Sequence, residues 1–254
     1  MINELFYNTP FSMSSWYFFV LVGMIFAVTL SVIKTPRENF PITRWGVLAC
    51  SLLMIYGGMV GGKLLYIALN REELAQFGDI PLNSLLATAG YSSLGAFAFY
   101  ILTIFLFAKL RKKRISFLTL ADYGMPFTFL VQAFVRVGCF LNGCCYGKPT
   151  GLPWGVIFPG ETTVPVHPAQ IYSMLYLVFI FVAMRFIYKK GPFVGTTFFG
   201  SIFLYSIFRF FNEYLRVDSF PVWGALTLAQ VTMGVIFCIS GVSLIIVLLT
   251  RRNP

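Results

Sequence analysis

Charged side chains are scarce in this sequence, and their scarcity excludes a soluble globular protein. Only 11% of the 254 residues are charged, whereas 58% are hydrophobic. Soluble domains carry about 25% charged residues, because their surfaces must be hydrated. The long apolar runs are therefore expected to cross a membrane, and each crossing needs about 20 residues.

Seven such runs predict an all-α, polytopic integral membrane protein with a single transmembrane domain over residues 1–254. The predicted spans are Ser14–Ile33, Gly46–Leu69, Leu82–Leu110, Ser116–Phe140, Ala169–Tyr188, Val194–Phe211 and Ala225–Thr250. Spans four and five are separated by Leu141–Pro168, whose density of Gly and Pro excludes a helix. This segment is predicted to be a long irregular loop that is buried in protein or lines a wet cavity.

Acidic residues are also few, and the resulting net charge of +10 raises the question of a nucleic-acid partner. The basic residues are instead sorted by loop. Thirteen of them lie in the first, third and fifth connections and at the C-terminus, against three in the alternate connections. Because positive residues concentrate on the cytoplasmic side, we predict an external N-terminus, a cytoplasmic C-terminus and an external loop 141–168. No nucleic-acid partner is expected.

Histidine occurs once, as His167, immediately before the fifth predicted span. Two roles remain open for it. A histidine followed by proline at a helix start is typical of a hydrogen-bonded structural residue. It is also the side chain whose ordinary pKa lies nearest to neutrality, as a catalytic base requires.

The five cysteines divide into two groups. Cys50 and Cys238 lie within predicted spans and are interpreted as small apolar residues. Cys139, Cys144 and Cys145 cluster on the predicted outer side, where a Cys139–Cys144 disulfide is possible. Zinc is the weaker alternative, because the spacing C-x4-C-C lacks the second ligand pair of a structural zinc site. We therefore predict no metal and no cofactor.

Charged residues at membrane depth must be explained, since each costs about 2.5–3.5 kcal/mol even on a lenient scale. Those of this chain are Lys63, Asp122, Arg136, Arg209, Glu213 and Arg216. All except Asp122 lie towards the predicted outer side. Asp122 lies at the inner edge, where it could interact with a helix dipole. The outer charges are the candidates for function.

The stretch "YSIFRFFNEYLR" places Tyr205, Arg209, Glu213 and Arg216 on one helical face, with spacings of 4, 4 and 3. One interpretation is a ladder of ion pairs that stabilises the helix end. The other is that Arg209 binds an anion and Glu213 orients it. Arg136 lies at a similar predicted depth, so the two guanidinium groups could hold one phosphate through paired charge-assisted hydrogen bonds.

Three stretches, "RVGCFLNGCCYGKPTGLPWGVIFP", "HPAQIYSMLY" and "YSIFRFFNEYLR", resemble the prolipoprotein diacylglyceryl transferase family. The resemblance implies seven helices with an external N-terminus. Residues that match the family's signature region are Arg136, Gly138, Phe140, Asn142, Gly143 and Gly147. The sixth-helix residues match its spacing without gaps. Lys63 occupies a position that is usually arginine, and Tyr17 corresponds to a family tyrosine with a register shift of one residue.

The resemblance implies an enzyme of the bacterial cytoplasmic (inner) membrane. It would transfer the diacylglyceryl group of phosphatidylglycerol, or a similar phospholipid, to the lipobox cysteine thiol of a preprolipoprotein within the membrane lipid. The products would be a thioether and glycerol phosphate. Arg136 and Arg209 are then expected to stabilise the departing phosphate. The expected substrate-binding residues are Asn142, Gly143, Gly147, Tyr205, Glu213, Arg216, Lys63, Tyr17 and His167.

The sequence departs from the family at three positions. Tyr91, in "YSSLGAF", stands where the family has a catalytic histidine, Cys139 replaces an asparagine and Cys144 replaces a glutamate. We assign the role of the base to Tyr91, although a tyrosine accepts a proton only if its pKa, ordinarily about 10, is lowered. The alternative is that the positive field of the arginines alone deprotonates the acceptor thiol, whose ordinary pKa is about 8.5. The departures leave open a divergent phospholipid-dependent transferase with another acceptor, or a non-catalytic phospholipid-binding membrane protein.

Overall fold

The computed structural model describes residues 4–5, 13–35, 40–70, 92–111, 115–191, 193–217 and 221–250. Seven helices occur in this part of the chain. They are α1 (Ser15–Lys34), α2 (Arg44–Leu69), α3 (Ser93–Leu110), α4 (Phe117–Leu141), α5 (Ala169–Lys189), α6 (Thr196–Tyr214) and α7 (Leu228–Thr250). Two small antiparallel pairs of strands are β1 (Glu4–Leu5) with β2 (Met13–Ser14) and β3 (Pro221–Trp223) with β4 (Leu226–Thr227).

Every predicted span overlaps one of these helices, and five helices are long and apolar enough to cross a membrane: α1, α2, α4, α5 and α7. The apolar part of α3, Gly95–Leu110, is shorter, and the beginning of the third predicted span lies outside the described residues. The seventh helix begins three residues later than predicted, because the β3–β4 hairpin occupies the preceding segment. The chain is thus a polytopic helical membrane protein.

The chain divides into two compact units, residues 1–31 with 121–254 and residues 32–120. The assignment of a single domain over residues 1–254 stays a prediction. The predicted irregular loop is observed between α4 and α5, within the first unit.

In the smaller unit, α2 and α3 pack through glycines. A Cβ atom on Gly61 would lie 2.4 Å from the Cβ of Phe99, and one on Gly95 would lie 2.4 Å from the carbonyl oxygen of Gly61. Small residues of this kind let two membrane helices approach at backbone distance. The Ser92 hydroxyl accepts a hydrogen bond from Gly95 N at 3.4 Å and so caps the start of α3.

In the larger unit, α1 packs closely along α4. A Cβ atom on Gly23 would lie 2.7 Å from the Cβ of Phe134, and one on Gly138 would lie 3.0 Å from the Cα of Trp16. Side chains larger than hydrogen would separate the helices at both positions. The close contact at Gly138 fixes the end of α4 that carries Arg136.

Asp122 has a structural role in the same unit. Its buried carboxylate accepts hydrogen bonds from the backbone N–H groups of Gly195 and, at 2.6 Å, Phe198, at the start of α6. Gly195 has a φ of 97°, which favours glycine. Asp122 thus interacts with the N-terminus of α6 rather than with that of its own helix, α4.

Candidate functional site

The loop between α4 and α5 is joined to the end of α6 by backbone hydrogen bonds. Gly147 N donates to His167 O at 2.8 Å, and His167 N donates to Lys148 O at 3.0 Å. Lys148 N donates to Leu215 O at 2.7 Å, and Gly147 pairs with Arg216 in an isolated bridge. These bonds bring the ends of α4 and α6, which carry the predicted arginines, to one side of the unit.

A glycine is required at position 147, where the loop between α4 and α5 packs against the end of α6. A Cβ atom at this position would lie 2.5 Å from Leu215 O and 2.7 Å from the Cβ of His167. We expect Gly147→Ala to lower the free energy of unfolding by about 1–3 kcal/mol, because overpacked backbone must move. Thermal unfolding in detergent measures the effect. Gly151→Ala is the matched control, since no atom lies within 4 Å of its added Cβ. Equal midpoints for the two variants would contradict this role.

Glu213 connects two arginines at the end of α6. Its carboxylate is buried, and its Oε2 atom accepts a hydrogen bond from Arg209 Nη1. The Nε atom of Arg216 lies 3.8 Å from the same oxygen. Thr227 Oγ1, in β4, donates to Glu213 Oε1 at 3.4 Å. The predicted ladder is thus observed, and one carboxylate shared by two guanidinium groups leaves a net positive charge at this site.

Arg136 differs from both of these arginines. Its side chain is half-buried near the end of α4. In the part of the chain that the structure describes, the Arg136 guanidinium has no ion pair and no hydrogen bond. It lies within electrostatic range of Tyr176, Tyr205 and two cysteines. A guanidinium at membrane depth that has no ion pair with a described carboxylate is suited to binding an anion from outside the chain.

Tyr176 links the two predicted arginines. Its buried side chain lies within electrostatic range of both Arg136 and Arg209. Its ring stacks on Phe208, with centroids 5.5 Å apart, and lies 6.2 Å from the ring of Tyr205. Tyr176 therefore lies within electrostatic range of both arginines, and its ring lies next to that of Tyr205. Sequence reasoning did not single out Tyr176, although it ends the quoted stretch "HPAQIYSMLY".

His167 belongs to a chain of hydrogen bonds between aromatic side chains. Its Nδ1 lies 3.3 Å from the hydroxyl of Tyr172, which accepts a hydrogen bond of 2.8 Å from Trp154 Nε1. An indole N–H only donates, so the tyrosine proton is available to Nδ1 of His167. These contacts agree with the structural alternative. A substrate-binding role for His167 stays a prediction.

The sulfur atoms of Cys139, Cys144 and Cys145 lie within 4.8 Å of one another. All five cysteines of the chain are free thiols, so the considered Cys139–Cys144 disulfide is not formed. The turn that carries the thiols is fixed by its backbone. Cys144 N donates to Cys139 O at 3.2 Å, and Gln170 Nε2 donates to Cys144 O at 2.6 Å.

Cys145 is the thiol of this cluster whose pKa is lowered. Hydrogen bonds with the Cys139 and Cys144 thiols, and then the guanidinium groups of Arg136 and Arg216, hold the pKa of Cys145 well below its ordinary value. Of the three thiols, Cys145 is therefore the one that loses its proton most readily.

The remaining predicted residues differ in where they lie. Gly143, with a φ of 73°, donates its N–H to Phe140 O at 3.2 Å, so like Gly147 its N–H is used within the loop. The Asn142 side chain hydrogen-bonds with Cys144. The N–H groups of both glycines thus form hydrogen bonds that shape the loop, and a substrate-binding role for Asn142, Gly143 and Gly147 stays a prediction.

Three further assignments have no support from the site geometry. Tyr17 lies in α1 with 62% of its surface exposed and its ring beside that of Trp16. Lys63 belongs to the other compact unit. Tyr91 lies outside the described residues. Their roles stay predictions.

Comparison with known proteins identifies the family. The profile of the prolipoprotein diacylglyceryl transferase family matches residues 3–251. A phosphatidylglycerol–prolipoprotein diacylglyceryl transferase of Clostridium tetani is 32% identical over 203 residues, covering 78% of this chain and 79% of that protein. The protein of the same name from Clostridioides difficile is 32% identical over 242 residues, covering 94% and 92%. The chain therefore belongs to the prolipoprotein diacylglyceryl transferase family.

Proposed function

We propose that this protein transfers the diacylglyceryl group of phosphatidylglycerol to the lipobox cysteine thiol of a preprolipoprotein. The reaction forms a thioether and releases glycerol phosphate. Family membership and the names of the relatives support the activity. The observation that carries it here is Arg136, a guanidinium without an ion pair among the described residues that shares Tyr176 with Arg209.

The arrangement of charges suits this chemistry. When a thiolate attacks the glycerol carbon, the carbon–oxygen bond to the phosphate breaks and charge grows on the departing phosphate. Guanidinium groups already directed at that position stabilise the transition state more than the ground state. We assign this role to Arg136 and Arg209. Glu213 holds the Arg209 guanidinium in place through its ion pair, and Arg216 adds positive charge next to the same carboxylate oxygen.

An apolar groove beside the arginines is proposed to hold an acyl chain. It has a volume of about 220 Å³ and lies between α6 and α7. Its lining includes Ile207, Phe210, Met233 and Phe237. Because Phe210 follows Arg209 directly, a phospholipid headgroup bound at Arg209 would place its acyl chains next to this groove.

The proposed topology follows from the charge distribution. We place the N-terminus and the loop between α4 and α5 outside, and the C-terminus in the cytoplasm of a bacterium, with the protein in the cytoplasmic (inner) membrane. The positive-inside asymmetry supports this orientation, and the relatives are bacterial proteins. The arginines then lie at the outer leaflet.

Further substrate contacts are proposed with less direct support. Asn142, Gly143 and Gly147 shape the loop beside the headgroup, and Tyr205 lines the site. Lys63, Tyr17 and His167 are proposed as more distant contacts.

The acceptor thiol must lose a proton, and Tyr91 occupies the position of the family's base. An unperturbed tyrosine has a pKa of about 10 and is a poor base for this step at neutral pH.

Reconstitution tests the function. The full-length protein is placed in nanodiscs that contain phosphatidylglycerol and is given a lipobox peptide. We expect the peptide to gain the mass of one diacylglyceryl group. The same peptide with serine in place of cysteine should gain nothing, because a hydroxyl is a far weaker nucleophile than a thiolate. Bound phosphatidylglycerol without any mass gain of the cysteine peptide would favour a different acceptor.

A further inference from the structure

Three thiols converge at the external end of α4, beside the proposed phosphate site. Cys139 is in the last turn of the helix, and Cys144 and Cys145 follow in the loop. Their sulfur atoms lie within 4.8 Å of one another. Zinc binds thiolates at about 2.3 Å, which places the sulfurs of a tetrahedral site about 3.8 Å apart. Side-chain movements of about 1 Å would bring the three thiols to this spacing.

The backbone is arranged to hold the thiols together. Cys145 has a φ of 64°, a left-handed conformation that non-glycine residues rarely adopt. Cys144 is held from both sides, by its own N–H to Cys139 O and by the buried amide of Gln170 at its carbonyl. Unfavourable backbone conformations of this kind persist where the surroundings enforce them, and they cluster at functional sites.

The charges around the cluster suit a thiolate complex. Three thiolates and one Zn²⁺ carry a net charge of −1. Cys145 lies within electrostatic range of both Arg136 and Arg216. Arg136, Arg209 and Arg216 together carry +3, against −2 for the complex and Glu213, so the negative charge of the complex is offset and a net positive charge remains for the phosphate.

We propose that Cys139, Cys144 and Cys145 bind one Zn²⁺, and that the acceptor thiol of the peptide takes its fourth coordination position. This inference rests on the proposed function. Zinc sites with three protein ligands keep a position open for a reactant, and a thiol that coordinates the metal is deprotonated. The metal thereby supplies the thiolate that a tyrosine at position 91 is poorly suited to generate.

The reaction balances with zinc acting only as a Lewis acid. The peptide thiol loses its proton to external water when it binds the metal. Its sulfur then forms a bond with the glycerol carbon of phosphatidylglycerol, and the carbon–oxygen bond to the phosphate breaks. Glycerol phosphate leaves with the bonding electron pair, next to Arg136. The product thioether is neutral and a weaker ligand than a thiolate, so it leaves the zinc.

Cobalt binding tests the metal site without reference to activity. The full-length protein in detergent is treated with a chelator and titrated with Co²⁺, whose thiolate complexes give a charge-transfer band in the near ultraviolet. We expect one ion per chain, displaced by Zn²⁺. Cys139→Ser, Cys144→Ser and Cys145→Ser should each weaken binding by roughly tenfold or more, because each removes a ligand.

Cys238→Ser is the matched control, since Cys238 is an exposed cysteine on α7, outside the cluster. It should bind cobalt as the wild type does. Absence of the band in the wild type, or an equal band in the three variants, would overturn the proposal. If a variant fails to fold, the number of Co²⁺ ions bound per wild-type chain still decides whether the metal site exists.

The lipobox peptide tests the fourth position. Adding the cysteine peptide to the cobalt protein should increase the charge-transfer absorption, because a further thiolate joins the metal. The serine peptide should leave the spectrum unchanged. An unchanged spectrum with the cysteine peptide would refute thiol binding at the metal.

Transfer measured with and without the metal separates this inference from the proposed function. Chelated protein should lose peptide mass gain by at least about tenfold, and Zn²⁺ should restore it. Full transfer by metal-free protein would refute the zinc role and leave the function standing. The opposite result is one Co²⁺ bound per chain in the titration but no transfer by the zinc-loaded protein. It would refute the proposed function and leave the metal site standing.

Discussion

Replacing Arg136 by glutamine is expected to lower kcat for diacylglyceryl transfer by about 10²–10³, the loss that follows removal of one preorganised group that stabilises a developing negative charge. The structure explains why this arginine should matter so much. Its guanidinium has no ion-pair partner in the described parts of the chain, so its charge is available to the phosphate. Arg136→Lys should restore only part of the rate, because an ammonium lacks the planar fork.

Thermal stability distinguishes this role from a structural one. Removing Arg136 leaves no carboxylate unpaired, and it removes a charge from membrane depth. We therefore expect the unfolding midpoint of Arg136→Gln to equal or exceed that of the wild type while turnover collapses. Arg44→Gln is the control, because Arg44 is exposed at the start of α2. A lowered midpoint with a proportionate loss of activity would assign Arg136 to packing.

The helices and the location of the site followed from patterns that act locally. Apolar length decides which segments become membrane helices, and α4 and α5 begin and end within a residue of their predicted bounds. The Gly and Pro residues between them fixed the loop. Arg136 and Arg209 could be selected because a charge in an apolar segment is costly and needs a reason.

The contacts within the site could not be read from the same patterns. Tyr176 lies in an apolar helix, and only the packing of α5 against α6 shows that it lies within electrostatic range of both arginines. Thr227 reaches Glu213 from a hairpin that the span prediction had assigned to the last helix. The convergence of the cysteines depends on a left-handed backbone at Cys145, which the spacing C-x4-C-C does not indicate.

Arg209→Lys is expected to lower the turnover rate by about 10²-fold. Arg209 must satisfy Glu213 and the phosphate at the same time, and the guanidinium fork allows this because it presents separate N–H groups to each partner. A lysine ammonium close to Glu213 would form a compact ion pair with the buried carboxylate and be drawn away from the phosphate. The steady-state rate with phosphatidylglycerol and the lipobox peptide measures the effect.

Glu213→Gln separates orientation from charge, and it completes a double-mutant cycle with Arg209→Lys. Glutamine keeps the shape and can still accept a hydrogen bond from Thr227, but it no longer holds the Arg209 and Arg216 guanidinium groups electrostatically. If Glu213 acts by positioning Arg209, the double variant should be about as slow as Arg209→Lys alone. Once Arg209 is replaced, Glu213 has no guanidinium left to position, so its own replacement costs little more. Multiplicative losses would show that Arg209 and Glu213 contribute independently, and would contradict the role assigned to their ion pair.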